Sequence, residues 1–492
     1  MTSESKTITD IEYRSLSGFQ KKFYTSSKEN DVSVRYNYTP SPYSWYNTIL
    51  AKIHVSIGEG GKNHYEISQR YHYLNKVYMV VKTPNIKVNE RYKNTVKIAF
   101  TPNLMHHIHG IGYFYPGDGV CQKITPKSLD DYRVSYIKYL ENYDKKIGNI
   151  KELINFTNHI QPKVLKLNPP WFFNLGDKFS FPLYDECVKN GKIQIVHEFN
   201  LDLSKLIRIL GKDKTTGKFT KYYPFDWKYF DEDTSSSIDT PEMWGVYCNI
   251  SEEEYMYRTK SQENNIIDYT DIIEIVHNDI KNFGQTATIR LTSSEPVFGI
   301  SWKAENKQSE QLNHLSNYTT NKDNIKYGYN PISHFELKYG NIPRVSKMEH
   351  YHFDEILPEM YFGYPPTEKG YNFFFYDNNP RSINIGHTVV FDNVSKAGVD
   401  LICTLGDTSK INVENTNKRS KHLLNNKKIN ETNGDLYPDD TGRQINKNLP
   451  EFKITVILYI RKRLIFDKKV KKLFMISDRL SYNNYLNIIN EK

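Results

Sequence analysis

The chain has 492 residues, several times the roughly 100–150 of one ordinary domain, so more than one hydrophobic core is expected. Aromatic residues make up 14% of it, with 38 Tyr and 25 Phe, which favours strands, where flat rings pack across a pleated face. The formal charge of +9, from 66 basic and 57 acidic residues, is a mild surface excess and excludes a polybasic nucleic-acid binder.

In chain order, residues 1–45 are polar and read as an N-terminal arm. From Ile49 to Ser68 the pattern is strand, glycine turn, strand, with Gly58, Gly60 and Gly61 supplying the reversal. Lys76–Val88 holds a strand ended by Pro84, and Asn94–Pro102 another ended by Pro102. The run HHIHG, with His106, His107 and His109, reads as a strand followed by a Gly-rich exit. Residues 128–160 change period: Tyr132, Tyr136, Tyr139, Leu140, Ile147, Ile150, Leu153 and Ile154 fall at helical spacing, and Ser128 with Asp131 has the form of a capping box. These predict one or two helices inserted between strands. The stretch after Pro169 and Pro170 is expected to return to extended chain.

Two runs, Phe181–Ile209 and Asp268–Asn306, share one layout: an apolar stretch, a polar turn, then an alternating strand. That layout predicts two sandwiches in tandem. Residues 211–243 read as a long loop with an aromatic middle, and Trp244–Ile250 as a closing strand. Ser251 is an N-cap candidate for a short acidic helix, which places a domain boundary near 252–264. The second half is strand-dense to about 408. Residues 408–449 are rich in Asn and Lys and read as a surface loop. Strands follow at 452–460 and 463–466, and Lys471–Ser477 closes the fold. The expected organisation is an arm (1–45), a first jelly roll (46–252), a linker helix (253–264) and a second jelly roll (265–492), all-β with inserted helices and long loops.

No motif carries clear chemistry. Cys121, Cys187, Cys248 and Cys403 are far apart without CxxC spacing, which points to a reducing cytoplasm rather than a disulfide framework or a zinc site. On a strand His107 and His109 would share a face, but a metal site needs further ligands and none stands nearby in sequence. The loop at Gly211 imitates a phosphate loop with five residues between its glycines instead of four, and Phe219 where a hydroxyl belongs. The acidic runs Asp231–Asp233 and Glu252–Glu254 sit where a loop and a helix start explain them. The sequons at Asn37 and Asn317 carry little weight in an Asn-rich chain with no visible signal peptide. No apolar run reaches the roughly 18–20 residues that span a bilayer. Tyr222, Tyr223, Phe225, Trp227, Tyr229 and Phe230 form a dense aromatic group suited to docking a neighbouring subunit, or to stacking on bases or sugars. No catalytic, cofactor-binding or metal-ligating residue is assigned.

Several segments resemble the double jelly-roll major capsid proteins of nucleocytoplasmic large DNA viruses, in the family's order. They are Tyr65–Val88, Asn103–Phe114, FPLYDECVKNGKIQIVHEFN (Phe181–Asn200), Gly245–Ile275, SSEPVFGISWKAEN with Pro296, Val297 and Trp302 in register, and Gly370–Leu401, where Phe375, Pro380, Gly386, Phe391 and Leu401 match. The resemblance covers roughly residues 50–475. It implies a structural protein without enzymatic activity or cofactor. Three chains would form a pseudo-hexagonal capsomer that tiles an icosahedral shell, assembled in the host cytoplasm and located in the virion. Implied partners are further copies of the chain, neighbouring capsomers, minor capsid or penton proteins and an internal viral membrane, with no specific nucleic acid. The alternatives are a carbohydrate-binding or glycan-processing sandwich, which would need two facing carboxylates in an aromatic cleft, and a membrane-shaping scaffold of the same fold.

Overall fold

Alternation of large apolar and polar side chains sets most strands of the first half. In Tyr73–Lys82, Val77, Met79 and Val81 point into the core while Lys76 and Lys82 face out. The computed structural model describes residues 46–476 except 118, 176–179, 190, 262–263, 322–324, 326–327, 341, 377–379, 381–397 and 407–450. The expected arm at 1–45, the loop at 408–449, and Gly386 and Phe391 lie outside the described residues.

The first half contains β1 (Tyr46–Ile53), β2 (Val55–Ile57), β3 (Asn63–Glu66), β4 (Tyr73–Lys82), β5 (Ile86–Lys87), β6 (Val96–Phe100), β7 (Ile111–Tyr115), β8 (Gln122–Ile124), β9 (His159–Ile160), β10 (Val164–Leu167), β11 (Phe181–Pro182), β12 (Gln194–Glu198), β13 (Ile207–Lys212), β14 (Phe219–Tyr223) and β15 (Glu242–Ile250). One sheet runs β1-β15-β4-β10, with β11 also on β4; the facing sheet runs β2-β3-β12-β7-β8. Take β10 and β11 together as the sixth strand and set aside β2 and the strands of the insertions. The two sheets then read 1-8-3-6 and 2-7-4-5, the strand order of a jelly roll. The second half contains β16 (Asn265–Lys281), β17 (Thr286–Leu291), β18 (Val297–Asn306), β19 (Ile332–Tyr339), β20 (Ile342–Glu349), β21 (Asn372–Phe375), β22 (Val399–Leu405), β23 (Phe452–Asp467) and β24 (Lys472–Ile476). Its sheets, β16-β23-β18-β21 and β17-β22-β19-β20, repeat the same permutation, with β24 added on β23. The fold is all-β with inserted helices, as expected.

The insertions of the first sandwich occupy three connections. Between β4 and β7 lies α1 (Leu104–His109). Between β8 and β10 lie α2 (Pro126–Tyr136), α3 (Leu140–Ile147) and α4 (Lys151–Ile154). Strands β13 and β14 lie between β12 and β15. The three connections meet, since β14-β13-β6 form one small sheet and β5 pairs with β9. Helix α5 (Glu252–Lys260), N-capped by Ser251, joins the two halves. The second sandwich carries α6 (Lys307–Gln311) and α7 (Leu357–Phe362). No helix among the described residues is long and apolar enough to cross a membrane.

Several sequence expectations are corrected. The HHIHG segment is helix α1, not a strand: Asn103 enters with φ 52° and Gly110 leaves with φ 58° and ψ −133°, a backbone state that suits glycine. The capping box of α2 is Thr125 with Ser128, one turn earlier than Ser128 with Asp131, because Pro126 starts the helix. The stretch after Pro170 is a 3₁₀ turn at Phe172–Asn174, held by the Asn174 amide on the Val77 and Pro169 carbonyls. The long loop at 211–243 contains β14, which makes a hairpin with β13. Residues 452–460 and 463–466 are one strand, β23, because its basic interruption is paired: Lys462 with Asp271 and Glu295, Arg463 with Asp268. The two look-alike runs are not equivalent. The first covers β11 to β13 with a helical turn between, and the second covers β16 to β18. The shared layout of apolar stretch, turn and strand is local and does not fix position in a sheet.

Two cores result. The first gathers Phe114, Trp171, Phe172, Phe173 and Phe181 and continues into Tyr269 and Phe466 of the second half. The second is built on Trp302, whose ring stacks on Phe335 at 3.9 Å, with Phe353 at 5.3 Å. A third cluster covers the outer face of the second sandwich, where Val134 of α2 meets Phe298, Tyr318, Tyr371, Phe373 and Phe375. Strands β18 and β23 are therefore buried on both faces, which explains their near-continuous apolar runs.

Candidate functional site: the joint between the sandwiches

Helix α2 leaves the first sandwich and lies against the second. Neighbouring residues on a helix point about 100° apart, so its consecutive carboxylates Asp130 and Asp131 serve different neighbours. Asp130 faces α1 and the loop after α6. It accepts from the Asn103 amide (2.8 Å), Ser316 (2.6 Å) and Tyr318 (2.7 Å), and meets His106 Nδ1 at 2.7 Å. Asp131 faces the second sandwich. It accepts from Ser301 (2.6 Å) and Tyr459 (2.9 Å) and pairs with Lys303 Nζ at 2.8 Å. Lys303 is fully buried in β18. It also donates to the Lys127 carbonyl at 2.6 Å and lies over the Tyr318 and Tyr371 rings.

The two carboxyls respond differently. Burial pushes both upward. For Asp130 the hydrogen bond and charge of His106 more than offset burial and hold the group well below the usual carboxylate range. For Asp131 burial prevails over Lys303 and the hydroxyls, and the group lies above its ordinary value. The flanks of α2 are tied as well. Arg133 makes a bidentate pair with Asp144 (2.6 and 2.9 Å) and reaches Glu368 at 2.8 Å. Lys127 reaches Glu305 at 3.0 Å and Thr455 at 2.7 Å. A cleft of about 380 Å³ opens beside this joint, with Lys123, Lys127, Lys453, Glu274, Glu305 and Glu310 among its lining residues. The arrangement is a satisfied structural joint: its acids are neutralised by hydrogen bonds and cations.

The residues singled out in the sequence fall into structural roles. The three histidines of α1 have separate surroundings: His106 on Asp130 and Tyr143, His107 on Ser316 at 2.7 Å, and His109 packed edge-on to His197. No group of three or more metal-ligating side chains occurs among the described residues. Gly211 lies in β13, where an added Cβ would overlap the Tyr223 ring, so cross-strand packing explains the glycine. Glu254 pairs with Arg258 inside α5, and Asp231 accepts from the Glu232 amide. Asn317 is buried, its amide held by Ser309 and the Asn321 carbonyl, which does not suit a glycan acceptor. The aromatic group does assemble: Phe225 packs on Trp227 and Phe230, and Tyr223 stacks on Tyr229, with Trp227 the exposed ring.

No protein-family model matches the chain. The major capsid protein of Tipula iridescent virus is 22% identical over 405 residues, covering 74% of this chain and 82% of that protein. Among solved structures, the PBCV-1 virus capsid model aligns with a TM-score of 0.59 at 12% identity, covering 86% of this chain and 95% of that one. The Faustovirus major capsid protein aligns with a TM-score of 0.56 at 9% identity, covering 87% and 92%. The chain is a double jelly-roll protein, homologous to a viral major capsid protein. Among the described residues, four that carried the resemblance are packing positions of the double jelly roll. Val297 and Trp302 are buried in β18, Phe375 of β21 lies over Gly299, and Leu401 is buried in β22. The Pro380 carbonyl accepts from Tyr136 of α2. Sequence reasoning missed Asp130, Lys303 and Tyr459, and gave Asp131 only a capping role. A lysine in the apolar run VFGISWKAEN was the one visible sign of a buried charge.

At Gly110 an added Cβ would overlap the Glu198 carbonyl, and φ is positive. Gly110→Ala is expected to cost on the order of 2–4 kcal/mol, read as a lowered urea midpoint at unchanged slope.

Proposed function

We propose that the chain is a structural subunit of a viral capsid and works without catalysis. Three copies associate into a homotrimer whose six sandwiches form a pseudo-hexagonal capsomer, and capsomers tile an icosahedral shell. The observation that carries this reading is the repetition of one strand permutation in both halves, combined with a rigid buried joint at Asp131 and Lys303. Two equivalent wedges at a fixed angle let three chains fill six positions around a ring.

The sheet edges supply contact surface. Leu50, Val55 and Ile57 are exposed on β1 and β2 of the first sandwich, and Ile342 and Met348 on β20 of the second. Exposed edge strands with apolar side chains favour association. Many weak contacts between capsomers then sum to a stable shell. Minor capsid or penton proteins and an internal viral membrane are the further partners, and the virion, assembled in the host cytoplasm, is the location. Native mass spectrometry of the purified chain tests the trimer. A dominant species at three times the chain mass is expected, and a monomer persisting at tens of micromolar would contradict it.

A further inference from the structure

Two buried imidazoles in the first sandwich face each other without a counter-charge. His109 ends α1 and His197 lies in β12, both with no exposed surface. Their rings meet edge to face with centroids 4.5 Å apart. His197 also stacks flat on Phe199 at 4.8 Å and meets the edges of Tyr65 and Trp171. His109 Nδ1 has the Gly110 carbonyl at 3.0 Å. His109 Nε2 has no hydrogen-bond partner, and the His197 ring has no side-chain partner, only the backbone of His109 beside it.

The seat is tight. Gly112 of β7 runs beneath both rings, and a Cβ there would lie 2.8 Å from His197 Cε1 and 2.9 Å from His109 Cε1. The pair has backbone acceptors at Gly110 and His109 but no carboxylate of its own. From α1 there is His106, already on Asp130, and His107, on Ser316. From β3 there is the Tyr65 phenol, which donates to the Pro241 carbonyl. From β12 there is Glu198, whose carboxylate pairs with Lys62 at the surface. Trp171 and Phe199 add only rings. By contrast, His106 on the same helix has its own carboxylate.

We propose that His109 and His197 form an acid-sensitive latch: protonating either ring unseats α1 from β7 and β12 and loosens the joint that α1 helps to hold at Asp130 and Ser316. A charged imidazole carries two N–H donors, and here at least one per ring would be buried without an acceptor. Burial accordingly lowers His109 to about 4 and His197 well below its ordinary value, the second further depressed by the charge of the first. Both folded values lie below the unfolded value near 6.5. The stability they confer is therefore complete above about pH 6.5 and is lost as pH falls from there toward the folded values. Each ring multiplies the unfolding equilibrium constant by about ten per pH unit across that window.

The test is urea unfolding of the full chain between pH 7.5 and 4.5. His197→Phe keeps the stack on Phe199 and removes one titration, and His109→Gln keeps a polar group beside Gly110. Each is expected to reduce the fall in stability by about tenfold per pH unit in the unfolding constant, while the surface variant His159→Gln leaves it unchanged. Hydrogen exchange of the unaltered chain at pH 5, corrected for intrinsic rates, serves should the variants fold poorly. Amides of α1 and β12 are expected to lose protection before the rest of the first sandwich. An acid response unchanged in both variants, or protection lost first elsewhere, would overturn the latch.

Discussion

Asp131→Ala is expected to destabilise the chain by on the order of 3–5 kcal/mol. The change leaves the Lys303 ammonium, which has no exposed surface, without its carboxylate partner at 2.8 Å. It also removes the acceptor of two buried hydroxyls, Ser301 and Tyr459. Lys303 keeps the Lys127 carbonyl and the faces of Tyr318 and Tyr371, which solvate it only in part. The double variant Asp131→Leu with Lys303→Met removes both charges and is expected to recover most of the loss, because a buried pair replaced by apolar groups of similar volume is often neutral or better. Urea unfolding of Asp131→Leu, of Lys303→Met and of the double variant forms a double-mutant cycle. If Asp131→Ala costs under about 1 kcal/mol, the pair is not what locks the sandwiches together.

Trp302→Ala is the second large effect, expected to cost on the order of 3–5 kcal/mol. The ring is fully buried between Phe335 and Phe353, at the centre of the second sandwich. Strand β18 is covered on both faces, so neighbours cannot collapse freely into the space. Trp302→Phe is expected to cost clearly less than half as much. Its smaller ring retains the stack, and the substitution removes an indole N–H that is buried without a partner. Equal losses for Phe and Ala would mean that a benzene ring in this seat recovers nothing, and that stacking on Phe335 does not set the stability of this core.

The tandem sandwiches were legible because their signals are local: strands alternate, glycine and proline mark turns, and aromatic residues crowd the inward positions. Features set by distant partners were not. The strand β23 looked broken at Arg461–Arg463, since the acids that pair with Lys462 and Arg463 lie on β16 and just before β18. Helix α1 is short and half histidine, so its period could not compete with a strand reading until Asn103 and Gly110 showed their turns. The joint was invisible for the same reason. Asp131 meets Ser301 and Tyr459 at separations of 170 and 328 residues, and no sequence window contains such a pairing. Helix α7 went unanticipated because Pro358 stands near its start, where proline is compatible with a first turn but reads in sequence as a break.

Single-particle electron microscopy of the purified chain decides whether three chains close a ring of six sandwiches. Particles of threefold symmetry with a near-hexagonal outline are expected, each chain contributing two adjacent sandwiches to the ring. Isolated two-lobed particles at all concentrations, or an assembly in which the two sandwiches of one chain do not sit side by side, would contradict it.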